Sequence, residues 1–139
     1  MPELTRRLEE TITGLIRRGV VCFGSGGAIG FDTLAAQAVL KQRETNPAVK
    51  LIMVLPCREQ DAKWSASDKR EYKRLLDSAD KVVCLAEHYY DGCMAKRNLH
   101  LVENSGVCVA YMKHGRSGTA QTVRLARERG LTVVNLAEN

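Results

Sequence analysis

The chain has 139 residues, of which 45% are hydrophobic and 27% charged, with a net charge of +5 and a pI of about 9.1. This length fits one domain with a real core. No apolar run reaches the roughly 18 residues of a membrane span, and the polar N-terminus lacks the form of a secretory signal. We therefore expect a cytoplasmic protein without a membrane partner, whose mild positive charge favours anionic ligands.

Five short apolar runs alternate with longer helical patterns along the chain. The runs cover residues 20–23, 51–55, 81–86, 107–112 and 131–136. They are continuous rather than alternating, which is typical of parallel strands covered on both faces. Strand–helix alternation predicts one α/β domain over residues 1–139, a Rossmann-like three-layer sandwich with a five-stranded parallel sheet.

Helical periodicity fills the segments before and between these strands. The first helix has an apolar face from Leu4 to Ile16 and ends near Gly19. The second must stop before Asn46-Pro47, because a residue that precedes proline avoids the helical conformation. Ser65 and Asp68 predict the start of the third by capping. Two further helices are expected over about residues 94–103 and 119–130.

The five cysteines are odd in number and contain no CxxC pair. Cys22, Cys84 and Cys108 lie inside apolar runs, so we interpret them as core residues. Cys57 and Cys93 fall in predicted loops. The three histidines, interpreted as surface residues, have no metal-ligand spacing, and we expect neither a metal site nor a disulfide framework.

A glycine-rich loop, residues 24–30, joins the first strand to the second helix. Glycines permit positive φ and a close approach of ligand to the backbone, and the helix N-terminus offers N–H groups and a positive dipole end. The loop predicts an anion site; the alternative is a tight turn that binds nothing. Asp32 either caps N–H groups or contacts a ligand hydroxyl. The candidate binding residues are Gly24, Ser25, Gly26, Gly27, Ala28, Gly30 and Asp32.

A second loop of the same kind, residues 113–119, precedes the last helix. Both loops follow the carboxyl ends of predicted strands, where open α/β sheets bind ligands. Two glycines and two hydroxyls again lie beside a helix N-terminus. The candidate binding residues in this loop are Gly115, Ser117, Gly118 and Thr119.

Two further segments follow predicted strands and would share that edge. Arg97, next to Asn98, could hold a phosphate bidentately; its alternative is a solvent-exposed arginine. Tyr89 or Tyr90 could stack on a base or pack on its own loop. Trp64, the only tryptophan, either covers the site or pins its loop. Trp64, Arg97 and Asn98 complete the candidate ligand-binding set.

Four segments in this order resemble the YpsA-like proteins of the SLOG superfamily of Rossmann-like domains. They are SGGAIGFDTLAA, LIMVLPCREQ with the following Trp64, ADKVVCLAEHYYDGCMAKRN and GRSGTAQTV, and the resemblance runs from about residue 3 to residue 136. Similar proteins begin with an extra central strand that ends in a Gly-His-Arg-like loop, and this chain begins at the helix that would follow it. The resemblance implies the sheet order 2-1-3-4-5, counting from the strand at Val20. It also implies exposed apolar surface, which a homodimer would cover.

The superfamily also includes the DprA/Smf DNA-processing proteins and the LOG phosphoribohydrolases. The LOG enzymes carry a PGGxGTxxE motif with a catalytic glutamate, and Thr122 stands at the corresponding position here. Met94 and Arg97 do match the M-x-x-R part of the LOG pattern. The resemblance therefore implies phosphate binding without the catalytic carboxylate, and no catalytic residue is assigned.

Three functions stay open at this point. The first is a binding or sensory module for a phosphate-bearing nucleotide derivative of the ADP-ribose, NAD or AMP type, with no required cofactor. The second is a phosphoribohydrolase that cleaves the N-glycosidic bond of nucleoside monophosphates, with Glu59, Glu87 and Asp91 as the nearby carboxylates. The third is single-stranded DNA binding as in DprA, which requires stacking aromatics. Since aromatics form only 5% of the chain, nucleic acid ranks last among the partners.

Overall fold

A computed structural model describes residues 2–113 and 118–137, and these residues form helices and strands in alternation. The elements in chain order are α1 (Pro2–Arg17), β1 (Cys22–Ser25), α2 (Phe31–Thr45), β2 (Lys50–Leu55), α3 (Ala66–Ser78), β3 (Lys81–Cys84), α4 (Cys93–Glu103), β4 (Val107–Ala110), α5 (Gly118–Glu128) and β5 (Thr132–Asn135). Every predicted helix and strand is present, and the α/β class with parallel strands is confirmed. None of the helices built by the described residues is long and apolar enough to cross a membrane.

The chain divides into two compact units, Met1–Tyr89 and Tyr90–Asn139. In the first unit, β1, β2 and β3 form a parallel sheet in the order β1-β2-β3. Phe23 of β1 faces Leu51 of β2, and Met53 of β2 faces Val82 of β3. The predicted order 2-1-3-4-5 placed β1 between β2 and β3, and it is wrong, because β2 occupies the centre.

The residues of β2 explain its central position. It is a six-residue strand, whereas β1 and β3 have four residues each. Leu51 and Met53 are fully buried, and Val54 and Leu55 nearly so. A central parallel strand is covered on both faces and by a neighbour on each side, so the longest and most apolar run fits there best.

In the second unit, β4 and β5 form a parallel pair in which Val107 faces Thr132. The prediction of one five-stranded sheet is therefore also wrong for the described residues, which form a three-stranded and a two-stranded sheet. Val123 and Ala126 of α5 are buried in this unit. Asn135, the last residue of β5, accepts a hydrogen bond from Met112 N–H at 2.9 Å and donates one to Met112 O at 3.0 Å.

The predicted helix ends are confirmed where the sequence carried a clear signal. α2 ends at Thr45, directly before Asn46-Pro47. Ser65 is the N-cap of α3, and its hydroxyl accepts a hydrogen bond from Asp68 N–H at 3.1 Å. The apolar face of α1 is buried through Leu4, Leu8, Ile12 and Leu15.

The cysteine predictions fail where the sheet order fails. Cys22 and Cys84 are exposed, although both were interpreted as core residues. They lie on β1 and β3, which are the outer strands of the three-stranded sheet. Cys108 is half-buried, and its burial raises the pKa of the thiol. Cys57 and Cys93, which fell in predicted loops, are each only 1% exposed.

One carboxylate fixes the start of β3 against β2 at the amino end of the sheet. Asp80 Oδ2 accepts hydrogen bonds from Leu51 N–H and from Arg43 Nη1, each at 2.8 Å. The Asp80 amide in turn donates to Leu51 O at 2.9 Å. The bond from Leu51 N–H, together with the arginine, holds the pKa of this carboxyl below its usual range. The register of β2 and β3 is thereby set at the edge opposite the glycine-rich loop.

Candidate functional site

The glycine-rich loop leaves the carboxyl end of β1 and leads into α2. Gly27 has φ of +72° and Gly30 has φ of +98°, a region that favours glycine. Gly27 also lacks room for a side chain, since a Cβ there would lie 2.7 Å from Met53 Cε and 3.0 Å from Tyr72 Cε1. A Cβ at Gly30 would meet no atom within 4 Å. Backbone conformation requires both glycines, and close packing additionally requires Gly27.

Side chains from both ends of the loop bond to its backbone. Ser25, which is 6% exposed, accepts a hydrogen bond from Gly27 N–H at 3.2 Å and donates to Asp32 O at 3.1 Å. Asp32 Oδ2 accepts from Ala28 N–H at 3.2 Å. Thr33 Oγ1 donates to Ala28 O at 3.1 Å. Of the two roles that the sequence left open for Asp32, the structure shows the capping of a loop amide.

Two backbone amides of this loop belong to exposed residues and form no hydrogen bond within the described part of the chain. Within the part of the chain that the structure describes, the amides of Ile29 and Gly30 have no hydrogen-bond partner. Both residues are exposed, and the Ile29 residue is 52% exposed. Gly30 is the N-cap of the 15-residue α2 and supplies no side-chain cap. Two accessible donors therefore lie at the positive end of a helix dipole.

A polar and aromatic cluster supports the loop from the segment between β2 and α3. Gln60 Nε2 donates to Gly26 O at 3.2 Å and to the Tyr72 hydroxyl at 3.0 Å. The Trp64 ring meets the Tyr72 ring edge-on, with centroids 4.9 Å apart and planes at 68°. The contact of Trp64 with Tyr72 therefore holds the segment between β2 and α3 against α3. That Trp64 also covers a ligand stays a prediction.

Gln60, Tyr72 and Met53 contact the loop but were not among the residues predicted from the sequence. Tyr72 lies in α3 and is 4% exposed. The available signal was chemical: a buried tyrosine hydroxyl needs a hydrogen-bond partner, and Gln60 is a side-chain amide in the loop beside Trp64. Nothing in the spacing relates either residue to Gly26, which lies 34 positions before Gln60.

The Tyr72 hydroxyl is expected to ionise only at high pH, and its ionisation destabilises the folded state. Burial raises its pKa to about 12 from an ordinary value of 10.0. The folded state favours the neutral phenol of Tyr72 over the phenolate. The stability that the fold gains from this preference is fully present below pH 10 and is lost as the pH rises through about 12. Phenol ionisation is followed by absorbance after rapid mixing to high pH, and the curve of the Tyr72→Phe variant is subtracted from that of wild type. The difference should show one phenol with a midpoint near 12. A midpoint at the ordinary tyrosine value would contradict the buried position.

The loops after β2 and β3 are fastened to each other in the first unit. Glu59 Oε1 accepts a hydrogen bond from Tyr89 N–H at 3.0 Å and lies 3.3 Å from His88 Nδ1. Arg58 Nε lies 3.3 Å from Glu87 Oε1. Two of the three carboxylates that could have served catalysis, Glu59 and Glu87, are therefore engaged in contacts between loops.

The remaining predicted site residues belong to the second unit or lie outside the described residues. Arg97 is 5% exposed, so the alternative of a solvent-exposed arginine is wrong, and its Nε donates to Asn98 Oδ1 at 2.8 Å. Gly118 and Thr119 begin α5. The predictions for Gly115 and Ser117 fall outside the described residues. The structure thus brings together in one loop the first set of candidates, from Gly24 to Asp32.

Two exposed tyrosines and Thr122 were also singled out from the sequence. Tyr89 is 61% exposed and Tyr90 42% exposed, so neither ring packs fully on its own loop. Thr122 lies in α5. Among the described residues, no group of three or more His, Cys, Asp or Glu side chains is arranged to hold a metal ion.

Parallel strands that alternate with helices, with a glycine-rich turn between β1 and α2, define a Rossmann-like α/β protein. The family model of YpsA, described as the YspA SLOG family, matches residues 2–128. The chain belongs to this family, which confirms the resemblance inferred from its four segments.

Its relatives include proteins of several bacilli. A UPF0398 protein of Halalkalibacterium halodurans is 29% identical over 129 residues, which cover 91% of this chain and 68% of that protein. The uncharacterized SPbeta prophage-derived protein YoqJ of Bacillus subtilis is 31% identical over 133 residues, which cover 87% of this chain and 76% of that protein. A UPF0398 protein of Shouchella clausii is 30% identical over 112 residues, which cover 78% of this chain and 60% of that protein. The names of these relatives assign no activity.

Proposed function

We propose that this protein is a binding or sensory module that holds a phosphate-bearing nucleotide derivative at the glycine-rich loop. The observation that carries the proposal is the pair of amides of the exposed residues Ile29 and Gly30, which have no hydrogen-bond partner among the described residues and lie at the N-terminus of α2. Backbone N–H groups at a helix N-terminus bind phosphate and carboxylate groups through hydrogen bonds and the helix dipole. Space for a ligand is present beside Gly30, since none of the described residues other than its chain neighbours has an atom within 4 Å of its Cβ position.

The surroundings of these donors suit a nucleotide better than a free ion. The Ile29 side chain is exposed beside them and offers an apolar surface to a sugar or base. The net charge of +5 attracts anions over a longer range. Arg97, Asn98 and the first turn of α5 stay proposals for further ligand contacts, as does a cytoplasmic site of action.

The proposal includes little or no phosphoribohydrolase activity. Amides at a helix N-terminus hold substrate and transition state about equally, and such uniform binding does not raise the chemical rate. Glu59 and Glu87 are engaged with their neighbouring loops, and Thr122 carries no negative charge. We expect no release of base from AMP by wild type, and the Thr122→Glu variant tests whether a carboxylate in α5 restores it. Rapid base release by wild type would refute the non-enzymatic reading.

The binding experiment uses Trp64, the only tryptophan, whose ring packs on Tyr72 beneath the loop. AMP, ADP-ribose, NAD and inorganic phosphate are titrated by tryptophan fluorescence and by thermal shift. A ligand at ~100 times its Kd should stabilise the fold by about 2.7 kcal/mol. If none of the four compounds binds, the glycine-rich loop is only a tight turn and the proposal fails.

A pair of variants locates the site. Ile29→Glu places a negative charge beside the two donors on an exposed position, and Ile29→Gln has nearly the same shape without the charge. We expect Ile29→Glu to weaken binding of AMP roughly tenfold relative to Ile29→Gln, with the difference shrinking as salt screens the charge. Equal affinity of the two variants would place the ligand elsewhere.

A further inference from the structure

Gln60 reaches the glycine-rich loop from a different part of the chain. It lies between β2 and α3, and its side-chain amide donates to Gly26 O at 3.2 Å and to the Tyr72 hydroxyl at 3.0 Å. A backbone carbonyl only accepts hydrogen bonds, so the NH₂ end of the amide must face Gly26. The bond therefore fixes the orientation of the Gln60 side chain as well as that of the loop carbonyl.

The carbonyl of Gly26 and the N–H of Gly27 belong to one planar peptide unit. Gln60 holds the carbonyl end of this unit, and Ser25 Oγ holds the amide end at 3.2 Å. A unit between two glycines can flip easily, because both residues tolerate positive and negative φ. Holding both ends prevents this flip and preserves the φ of +72° at Gly27.

We propose that Gln60 is the positioning residue of the candidate site. By fixing the Gly26–Gly27 peptide plane, it sets the path of the backbone that follows, and so the direction in which the Ile29 and Gly30 amides point. The inference rests on the proposed function for the identity of the ligand, but the clamp on the peptide plane can be measured without any ligand. Through Tyr72, the same side chain ties the loop to the Trp64 ring.

The test compares Gln60→Met with Gln37→Met. Methionine keeps the length and the apolar stem of glutamine but donates no hydrogen bond. Gln37 is the matched control because its Nε2 also ties two elements, donating from α2 to Glu71 Oε2 of α3 at 2.8 Å, without a bond to the loop. Amide hydrogen exchange of the ligand-free protein and AMP affinity by Trp64 fluorescence are measured for both variants and wild type.

We expect exchange at the Gly27 amide to be roughly tenfold faster in Gln60→Met, and the Kd for AMP to rise roughly tenfold, as the loss of one hydrogen bond to the loop predicts. Gln37→Met should change neither quantity by more than about twofold, although both variants lose a tie between elements. Unchanged exchange at Gly27 in Gln60→Met would overturn the proposal whatever the ligand data show.

Two other outcomes separate this inference from the proposed function. Faster exchange at Gly27 with unchanged AMP affinity would overturn the positioning role, since a loosened loop would then bind as well as a clamped one. Faster exchange in a protein whose wild type binds none of AMP, ADP-ribose, NAD and phosphate would support the clamp and refute the proposed function.

Discussion

Replacing Gly27 by alanine is expected to destabilise the protein by about 2–5 kcal/mol, from two separate costs. An alanine held at φ of +72° pays ~1–2 kcal/mol for the left-handed conformation. Its Cβ would also lie 2.7 Å from Met53 Cε and 3.0 Å from Tyr72 Cε1. Met53 is fully buried and Tyr72 is 4% exposed, so relief requires the core to rearrange. Overpacking of this kind costs ~1–3 kcal/mol.

Gly30→Ala is the matched control for this prediction. Gly30 also has positive φ, +98°, but no atom lies within 4 Å of its Cβ position. This variant should lose only the conformational term, about 1–3 kcal/mol for a residue held at φ of +98° and ψ of −121°. Urea unfolding followed by far-UV circular dichroism compares the two, with the m value checked for constancy. A loss of no more than ~1–2 kcal/mol for Gly27→Ala would mean that the Met53 methyl group moves aside at no cost.

The order and type of the elements could be predicted from the sequence because their signals are local. Apolar runs, the Ser65–Asp68 cap and the stop before Asn46-Pro47 depend on residues within a few positions of each other. The order of strands in the sheet has no such local signal. A run such as LIMVL, residues 51–55, indicates a strand buried on both faces without naming its neighbours. The expected order depended on the resemblance, and the exposed Cys22 and Cys84 show the consequence of the error.

For the candidate site, too, local features could be predicted from the sequence and contacts between distant residues could not. Glycines followed by a helix indicated the loop between β1 and α2, and the structure gives Gly27 and Gly30 positive φ. The sequence could not decide between the two roles of Asp32, because a carboxylate in a first turn suits a cap and a ligand equally. It also could not find Gln60, because the bond to Gly26 depends on how the segment after β2 folds back over the sheet edge.

Replacing Asn135 by alanine is expected to cost about 2–3 kcal/mol, since at least three hydrogen bonds among the described residues are lost and half-buried groups are left unpaired. Asn135 Oδ1 accepts from Met112 N–H at 2.9 Å and from Ala137 N–H at 3.1 Å, and Nδ2 donates to Met112 O at 3.0 Å. Met112 lies two residues beyond the end of β4 at Ala110, where backbone pairing of the two strands stops. The side chain therefore continues the ladder and fixes the segment that leads toward the second glycine-rich loop.

The Asn104→Ala variant is the matched control. It tests whether the loss of stability in Asn135→Ala comes from the position of Asn135 or follows from any change of asparagine to alanine. Asn104 is an exposed residue of the same unit, and its side chain makes one hydrogen bond, from Nδ2 to His100 O at 2.8 Å. Water can replace that partner, so a loss of about 0.5 kcal/mol is expected. Guanidinium unfolding by far-UV circular dichroism gives the two free energies, and amide exchange at Met112 locates the effect. If Asn135→Ala costs no more than Asn104→Ala, or leaves exchange at Met112 unchanged, water pairs with the Met112 backbone as well as Asn135 does, and the side chain does not extend the β4–β5 pair.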